Sequence, residues 1–525
     1  LTLFLGHKKK ERIDYIIPVI IELYSTDLPA GRLRRSYCEA SKAGSYLIAI
    51  IYQLLNWRPI FAIPLGFLGG SMVVAQIVLF FIVFVFGLFF VYASLISIAE
   101  KEKRAALLVF LFGMLLLIPP VLLLLFFEQL NPILIWGVPL LYFIIIAILF
   151  FPFEKTKNFI SSIPKPGYDE RNIMFSRNEL EPGSERFLAY YNQHPEKLAS
   201  DNLFREKPGL MKKGATHYDP ILSNATSASM DTVKAFHATV DGTVSKEKIS
   251  VGKAELTVFI QKWAKMLGAK AIGFTELKGY HKYSVVGRGA DYGKAVDLDH
   301  KYAIALTVEM DKDLIDTAPK APVTLETSLQ YLKSGEVAVQ IAVFLRNLGF
   351  EARAHIDGNY RVICPLVARD AGLGNIGRMG LLMTPRQGPR VRIAVVTTNA
   401  PINVPTNKID TAIPEFCRIC KKCANTCPSH AISTQDETEI DGVKRWQINQ
   451  EKCFTYWCQT GTDCGRCIAV CPYSHPDNVF HNMVRFGIRY NPIFRKIAVP
   501  LDDIFYGRKP PVKGVPEKIS YRTRG

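Results

Sequence analysis

Two stretches near the C-terminus, FCRICKKCANTCPSHAI (416–432) and EKCFTYWCQTGTDCGRCIAVCPYSHP (451–476), decide how the chain is read. The first contains Cys417-x2-Cys420-x2-Cys423-x3-Cys427-Pro428, the full spacing by which three thiolates wrap a cubane iron–sulfur cluster. The cysteine before the proline turns away to a neighbouring cluster. The second stretch carries Cys464-x2-Cys467-x3-Cys471-Pro472, with Cys453 and Cys458 competing for the missing first position. One ligand set is therefore Cys417, Cys420, Cys423 and Cys471. The other is Cys427, Cys464 and Cys467 with either Cys453 or Cys458. A zinc ribbon requires neither two Cys-Pro endings nor eight cysteines. Nine of the eleven cysteines in 525 residues lie between Cys417 and Cys471, which argues for metal ligation by reduced thiols rather than a disulfide scaffold. Cys38 and Cys364 read as plain thiols.

Upstream, short apolar runs alternate with helical spacing. Residues 269–274, 302–309 (YAIALTVE), 361–364 and 391–397 (VRIAVVT) read as strands, and 255–267 as an amphipathic helix. A longer helix is expected over 325–348, from Leu329, Leu332, Val337, Ile341 and Leu345 ahead of Gly349. The alternation implies a compact α/β domain. Between the last strands lies AGLGNIGR (371–378), a glycine-rich loop built on Gly372, Gly374 and Gly377. No strand runs straight into it and no acidic residue stands where a ribose would be read, so a nicotinamide site is not indicated. Backbone open to a large planar or phosphate-bearing ligand is the better reading. His355, nearest these loops, reads as a packing residue. Residues 164–250 are polar, with turn signals and mixed charge, and suggest an extended connection or cap.

Three apolar runs, 72–99, 105–127 and 133–153, contain no charged residue and reach the roughly 20 residues that a bilayer requires. Pro119-Pro120 is expected to kink the second rather than break it. A weaker candidate, 46–68, includes Gln53, Asn56 and Arg58. The link Glu100-Lys101-Glu102-Lys103-Arg104 is basic, whereas 128–132 has no positive charge, and 154–157 leaves on the side of the basic link. Counting 46–68 as a span brings Lys8-Lys9-Lys10, Arg32, Arg34 and Arg35 to that side too. The charge count favours four spans with this face in the cytoplasm. Arg34-Arg35 reads as a juxtamembrane cluster, not a removable leader. The formal charge of +17 suits an anionic membrane surface, and no basic helix with interleaved aromatics points to nucleic acid.

From about 271 to 476 the chain resembles the cobalamin-dependent reductive dehalogenases. The likeness rests on IGFTEL (272–277), LRNLGFEARAH (345–355), AGLGNIGRMGLLMTP (371–385), VRIAVVTTNAPI (391–402) and the two cysteine stretches. The related epoxyqueuosine reductases share the glycine-rich element and the paired clusters, without the Glu-Lys-Cys-Phe-x-Tyr-Trp approach of 451–457. The resemblance implies a nitroreductase-like α/β core holding a corrinoid (cobalamin), base-off, followed by a ferredoxin-like module with two [4Fe-4S] clusters. It places the remaining ligand at Cys453. It also implies a tyrosine proton donor beside a basic residue. Matched along the helix before LRNLGF, the tyrosine is Tyr331, with Thr327 one turn earlier. The base comes from PRQGPRVR (385–392), with Arg390 and Arg386 ranked ahead of Arg392, and is expected to lower the phenol's pKa. Asn359 is expected to line the pocket, and Gly372, Gly374 and Gly377 to border the cofactor.

The expected layout is α+β, in five parts: a basic N-terminal segment (1–44), transmembrane helices (45–153), a corrinoid-binding catalytic domain (154–410), a ferredoxin-like double-cluster domain (411–476) and a C-terminal extension (477–525). The implied function is reductive dehalogenation of an organohalide with release of halide. The implied setting is a multi-pass protein of the cell inner membrane with its catalytic domain in the cytoplasm. Electrons would come from a ferredoxin, a flavodoxin or a membrane redox protein. Respiratory members of the family carry a cleaved twin-arginine leader and a separate membrane anchor; spans within the chain depart from that pattern. The sequence opens on Leu1, which leaves room for a segment upstream. Two other readings are a corrinoid reductase acting on an epoxide or other non-halogenated substrate, and a non-catalytic membrane iron–sulfur subunit for electron transfer.

Overall fold

An apolar segment in lipid must satisfy its backbone hydrogen bonds internally, and a helix does so. In the computed structural model, which describes residues 70–126, 132–153, 164–406 and 411–521, the three apolar runs form α1 (Gly70–Ala99), α2 (Lys103–Leu125) and α3 (Pro132–Phe150). The chain divides into units Leu1–Ile77 and Val78–Gly525, and of the first only the opening turns of α1 are described. The candidate span 46–68 and the basic residues before it lie outside the described residues. Helix α2 continues through Pro119-Pro120. Helices α1 and α2 are long and apolar enough to cross a bilayer, and α3 is shorter. Their outer side chains are apolar: Phe81 and Leu115 are 63% exposed and Phe143 70%, the reverse of a water-facing helix surface. Ser94 Oγ donates to the Ala106 carbonyl at 2.8 Å, fastening α1 to α2.

Residues 164–250, expected as an extended connection or cap, are largely helical: α4 (Met174–Asn178), α5 (Glu185–Gln193), α6 (Pro195–Arg205) and α7 (Pro220–Phe236). Ser184 and Asp219 cap α5 and α7 by accepting from backbone N–H groups of the first turn. Arg177 and Asp201 form a fully buried pair at 2.8 Å, and Arg177 also reaches Glu451 at 2.7 Å. The backbone of 209–217 then runs against the end of a cysteine-bearing helix, with Gly209 N donating to Cys458 O and His217 N to Thr460 O, both at 2.9 Å. This cap is thus stitched to the cysteine module rather than being a loose connection.

After α8 (Lys253–Met266), strands β1 (Ala271–Glu276) and β2 (Tyr302–Glu309), the short α9 (Lys312–Ile315) and the long α10 (Ala321–Asn347), the chain continues into β3 (Ala352–His355), α11 (Cys364–Asp370), β4 (Asn375–Ile376), β5 (Leu382–Met383) and β6 (Val391–Thr398). Four of these strands form an antiparallel sheet in the order β1-β2-β6-β3. Ile304, Leu306 and Val308 of β2 pack with Val337, Ile341 and Leu345 of α10. Ala303 and Ala305, on the other face, pack with Val367 of α11. With both faces covered, β2 reads as a continuous apolar run rather than an alternating one. The expected strand at 361–364 is not one: Pro365 sits in the first turn of α11, where its fixed φ suits a helix start.

The C-terminal part contains α12 (Ala412–Cys420), α13 (Lys422–Thr426), the hairpin β7 (Thr438–Ile440) and β8 (Val443–Arg445), α14 (Gln450–Thr460), α15 (Arg466–Ala469), α16 (Val479–Tyr490) and α17 (Pro492–Tyr506). Leu149 and Phe150 of α3 pack against its core, which includes Phe416, Ile488 and Phe494. The membrane link is docked as well, Lys101 pairing with Asp313 at 3.3 Å and Glu102 with Lys513 at 2.7 Å.

Candidate active site

Lys421, in the left-handed region at φ +55°, separates α12 from α13, and the turn gathers Cys417, Cys420 and Cys423. Cys471 arrives from beyond α15 and interacts electrostatically with all three. The four thiols line one pocket together with Met379, Met383 and Phe416. Cys427 instead interacts with Cys453, Cys464 and Cys467. Cys458 belongs to neither group and packs with Met174, Phe204 and Phe454. Burial pushes Cys417 up to about 11 and Cys423, Cys453 and Cys464 up to about 12. Thiols held this way give up their protons to a metal, whose charge replaces the missing counter-ion. Four thiols converging on one point in each group are the donor set that a cubane takes.

Tyr331 is half-buried on α10, packed against the sheet core. The Arg392 guanidinium, from β6, lies over its ring with the central carbon 4.9 Å from the centroid. Arg392 Nη2 donates to Thr327 Oγ1 at 2.7 Å and to Asp463 Oδ2 at 3.3 Å. Asp463 also accepts from Thr327 and from Thr324 Oγ1, the latter at 3.1 Å, and it immediately precedes Cys464. The phenol therefore stands one residue pair away from the second cysteine group. Arg288 and Asp357 act electrostatically on the same phenol. The Arg288 guanidinium sits 4.8 Å from the Tyr360 ring centroid and pairs with Glu170 of the cap at 3.4 Å. Among the described residues Arg392 Nε and Arg288 Nη2 are buried donors without an acceptor, which suits a bound ligand that offers one.

Burial pushes the Tyr331 phenol above its usual value, and Arg392 only partly offsets this. The expected lowering is thus reversed, because losing water around a phenolate outweighs one guanidinium stacked on the ring. Burial also raises Asp357 and Asp463, against the pull of Arg288 and Arg392.

Of the three candidate arginines the structure brings Arg392 to Tyr331, which corrects the ranking of Arg390 and Arg386. Arg390 lies in the turn before β6, pairs with Glu309 at 2.9 Å and donates to the Ser474 and Met310 carbonyls. Arg386 is 70% exposed and faces Asp477. Asn359 is held by Arg353 Nη2 at 2.6 Å. The glycine loop also differs from expectation. A Cβ at Gly374 would lie 2.1 Å from Met383 O, and one at Gly377 would lie 2.3 Å from Met383 Sδ and 3.4 Å from Cys417 Sγ. What approaches these glycines is the chain itself, beside the first cysteine group, while Gly372 (φ +80°) follows the end of α11. His355 is buried, with Nε2 2.8 Å from Thr397 Oγ1. Asp463, Arg288, Asp357, Tyr360 and Glu170 were not foreseen. Only Asp463 had a signal, as the acid beside Cys464; the others come from loops that no local pattern ties to the site.

Residues 416–475 match the family of 4Fe-4S dicluster domains. A tetrachloroethene reductive dehalogenase of Desulfitobacterium hafniense is 32% identical over 244 residues, covering 44% of this chain and 43% of that protein. One from Sulfurospirillum multivorans is 30% identical over 291 residues, 49% of this chain and 58% of its own length. A solved reductive dehalogenase structure superposes with a TM-score of 0.54 at 22% identity, covering 68% of this chain and 49% of that one. The chain has the fold of a reductive dehalogenase and carries a 4Fe-4S dicluster domain. It is homologous to the tetrachloroethene reductive dehalogenases over 244 to 291 residues, and spans about half the length of these relatives.

Proposed function

We propose that the chain is a membrane-anchored, corrinoid- and iron–sulfur-dependent reductive dehalogenase that replaces a carbon-bound halogen with hydrogen. The reaction consumes two electrons and one proton and releases halide. The observation that carries this reading is the Tyr331–Arg392–Asp463 chain, in which Arg392 stacks on the half-buried Tyr331 ring and pairs with Asp463, the residue before Cys464. Cys417, Cys420, Cys423 and Cys471 would hold one [4Fe-4S] cluster, and Cys427, Cys453, Cys464 and Cys467 the other. A corrinoid would lie between the nitroreductase-like core and the cap, near Arg288, Tyr360 and Asn359. When bound, the clusters supply single electrons and the corrinoid supplies low-valent cobalt for removing the halogen.

The chain's own groups do the rest. Tyr331 Oη, kept protonated by burial, gives its proton to the carbon that loses the halogen. Arg392, fixed by Thr327 and Asp463, stabilises the phenolate left behind, and Arg288 adds positive charge for the departing halide. The apolar helices and basic link support a setting in the inner membrane with this site in the cytoplasm, where a ferredoxin, flavodoxin or membrane redox protein would deliver electrons. Protein purified without oxygen is expected to contain corrinoid and to release halide from a panel of organohalides, tetrachloroethene first, with reduced viologen as donor. Corrinoid with turnover only of an epoxide would make it a different corrinoid reductase. Full iron without corrinoid would leave the electron-transfer reading. Alkaline phosphatase activity from a reporter fused after Gly525 would reverse the orientation.

A further inference from the structure

We infer that α16 and α17 lie along the membrane surface as an interfacial hairpin, with one stripe of each helix dipped into lipid. Two observations carry this, and it rests on reading α1 to α3 as spans. The first is the outward pattern. On α17, Ile493, Ile497, Pro500 and Ile504 recur at steps of four, three and four, which places them on one face, and all four are exposed. On α16, Val479, Met483, Phe486 and Tyr490 repeat the same steps, with Val479 72% and Phe486 45% exposed. Two arginines are buried on the inner faces: the Arg485 guanidinium donates to the carbonyls of Tyr473, His475 and Pro476, and Arg495 to that of Ile488. Each helix thus presents an apolar stripe outward in addition to the apolar residues it buries, such as Ile488, Phe494 and Val499, which is unlike a helix on a water-facing surface.

The second observation is where the hairpin sits. Asn491 Nδ2, between the two helices, donates to Ile148 O in the last turn of α3 at 2.7 Å. His481 of α16 meets Glu100, just after α1, at 3.0 Å. Phe480 packs on Phe89, Phe505 on Phe112 and Phe494 on Phe150, with ring centroids 5.3–6.3 Å apart. The hairpin thus meets the second half of α1 (with Glu100 just beyond it), the first half of α2 and the end of α3, the portions nearest one side of a bilayer that these helices cross. Its outer stripes extend the lipid-facing surface of the spans, and exposed Lys496 beside the stripe suits anionic headgroups. The occupant of this face is the bilayer. On the inner side, Asp502 of α17 pairs with buried Lys422, between Cys420 and Cys423, so the hairpin also fixes the first cysteine group close to the membrane.

The test places the photo-crosslinking residue p-benzoylphenylalanine singly at 497, 504, 115 or 266 of the full chain. The protein is irradiated in native membranes, and lipid adducts are read by mass spectrometry together with iron content. Positions 497 and 504 are expected to give lipid adducts at the level of Leu115 on α2, several-fold above Met266, which is 83% exposed but off the hairpin. Adducts at 115 without adducts at 497 and 504, in protein with full iron, would overturn the hairpin alone. A protein adduct at 497 would do the same by revealing a different occupant. Absence of adducts at 115 as well would overturn the reading of the spans.

Discussion

The two cysteine groups, most of whose thiols are buried, and the half-buried surroundings of Tyr331 hold charge in opposite ways. Around the cysteines there is little to stabilise a thiolate. Burial raises every one of these thiols that shifts, neighbouring thiols push the same way, and Arg378 beside Cys417 and Cys423 offsets little of it. A metal has to bring the compensating charge, so this region is completed by what it binds. Around Tyr331 the charge is already present and paired inside the protein: Arg392 with Asp463, and Arg288 with Glu170. On the proposed function, that region is preorganised for charge that appears during the reaction. The lesson is that loading and turnover should be separable by mutation, although the two regions meet at Asp463-Cys464.

Tyr331→Phe should separate them most sharply. The ring stays, so iron and corrinoid content should match wild type, while turnover falls roughly 10² to 10⁴-fold, the usual range for a lost general acid. Wild-type turnover with corrinoid bound would show that the proton comes from elsewhere. Arg392→Ala should lower turnover by about 10²-fold, as for removal of one charge-stabilising donor, whereas Arg386→Ala, at an exposed side chain, should leave it unchanged. Equal losses from both would break the assignment of Arg392. On the other side of the comparison, Cys420→Ala should remove about half of an expected eight or so iron atoms, and Cys458→Ala should remove none. Iron assay and the dithionite-bleached visible absorption check both.

The pH dependence should be the smallest effect. A phenol raised above its ordinary value of about 10 stays protonated throughout the neutral range. Loss of the donor form is therefore expected only above about pH 10, so no fall in turnover below that pH should disappear in Tyr331→Phe when compared by residual rate. A basic limb near pH 8 in wild type, absent from the variant, would mean that Arg392 dominates burial after all.

By itself the sequence determined what lies close together in the chain. Cysteine spacing is local chemistry, so both runs and the crossing of Cys427 and Cys471 could be written down from residue order. Uninterrupted apolar runs are also local, and they gave α1 to α3. The strand YAIALTVE and the helix bearing Tyr331 were legible because their patterns repeat within a few residues. The choice between Cys453 and Cys458 was not legible in spacing, and packing separates them: Cys458 faces Phe204 and Phe454, while Cys453 turns to Cys427. Tertiary structure alone chose Arg392 over Arg390, since two arginines one residue apart diverge when a turn ends and a strand begins between them. It also folded 164–250 into a cap whose Arg177 reaches Glu451, a partner 274 residues away. It reversed the expected shift of Tyr331 as well, because desolvation depends on every segment that closes over a group, and no window of sequence contains them all.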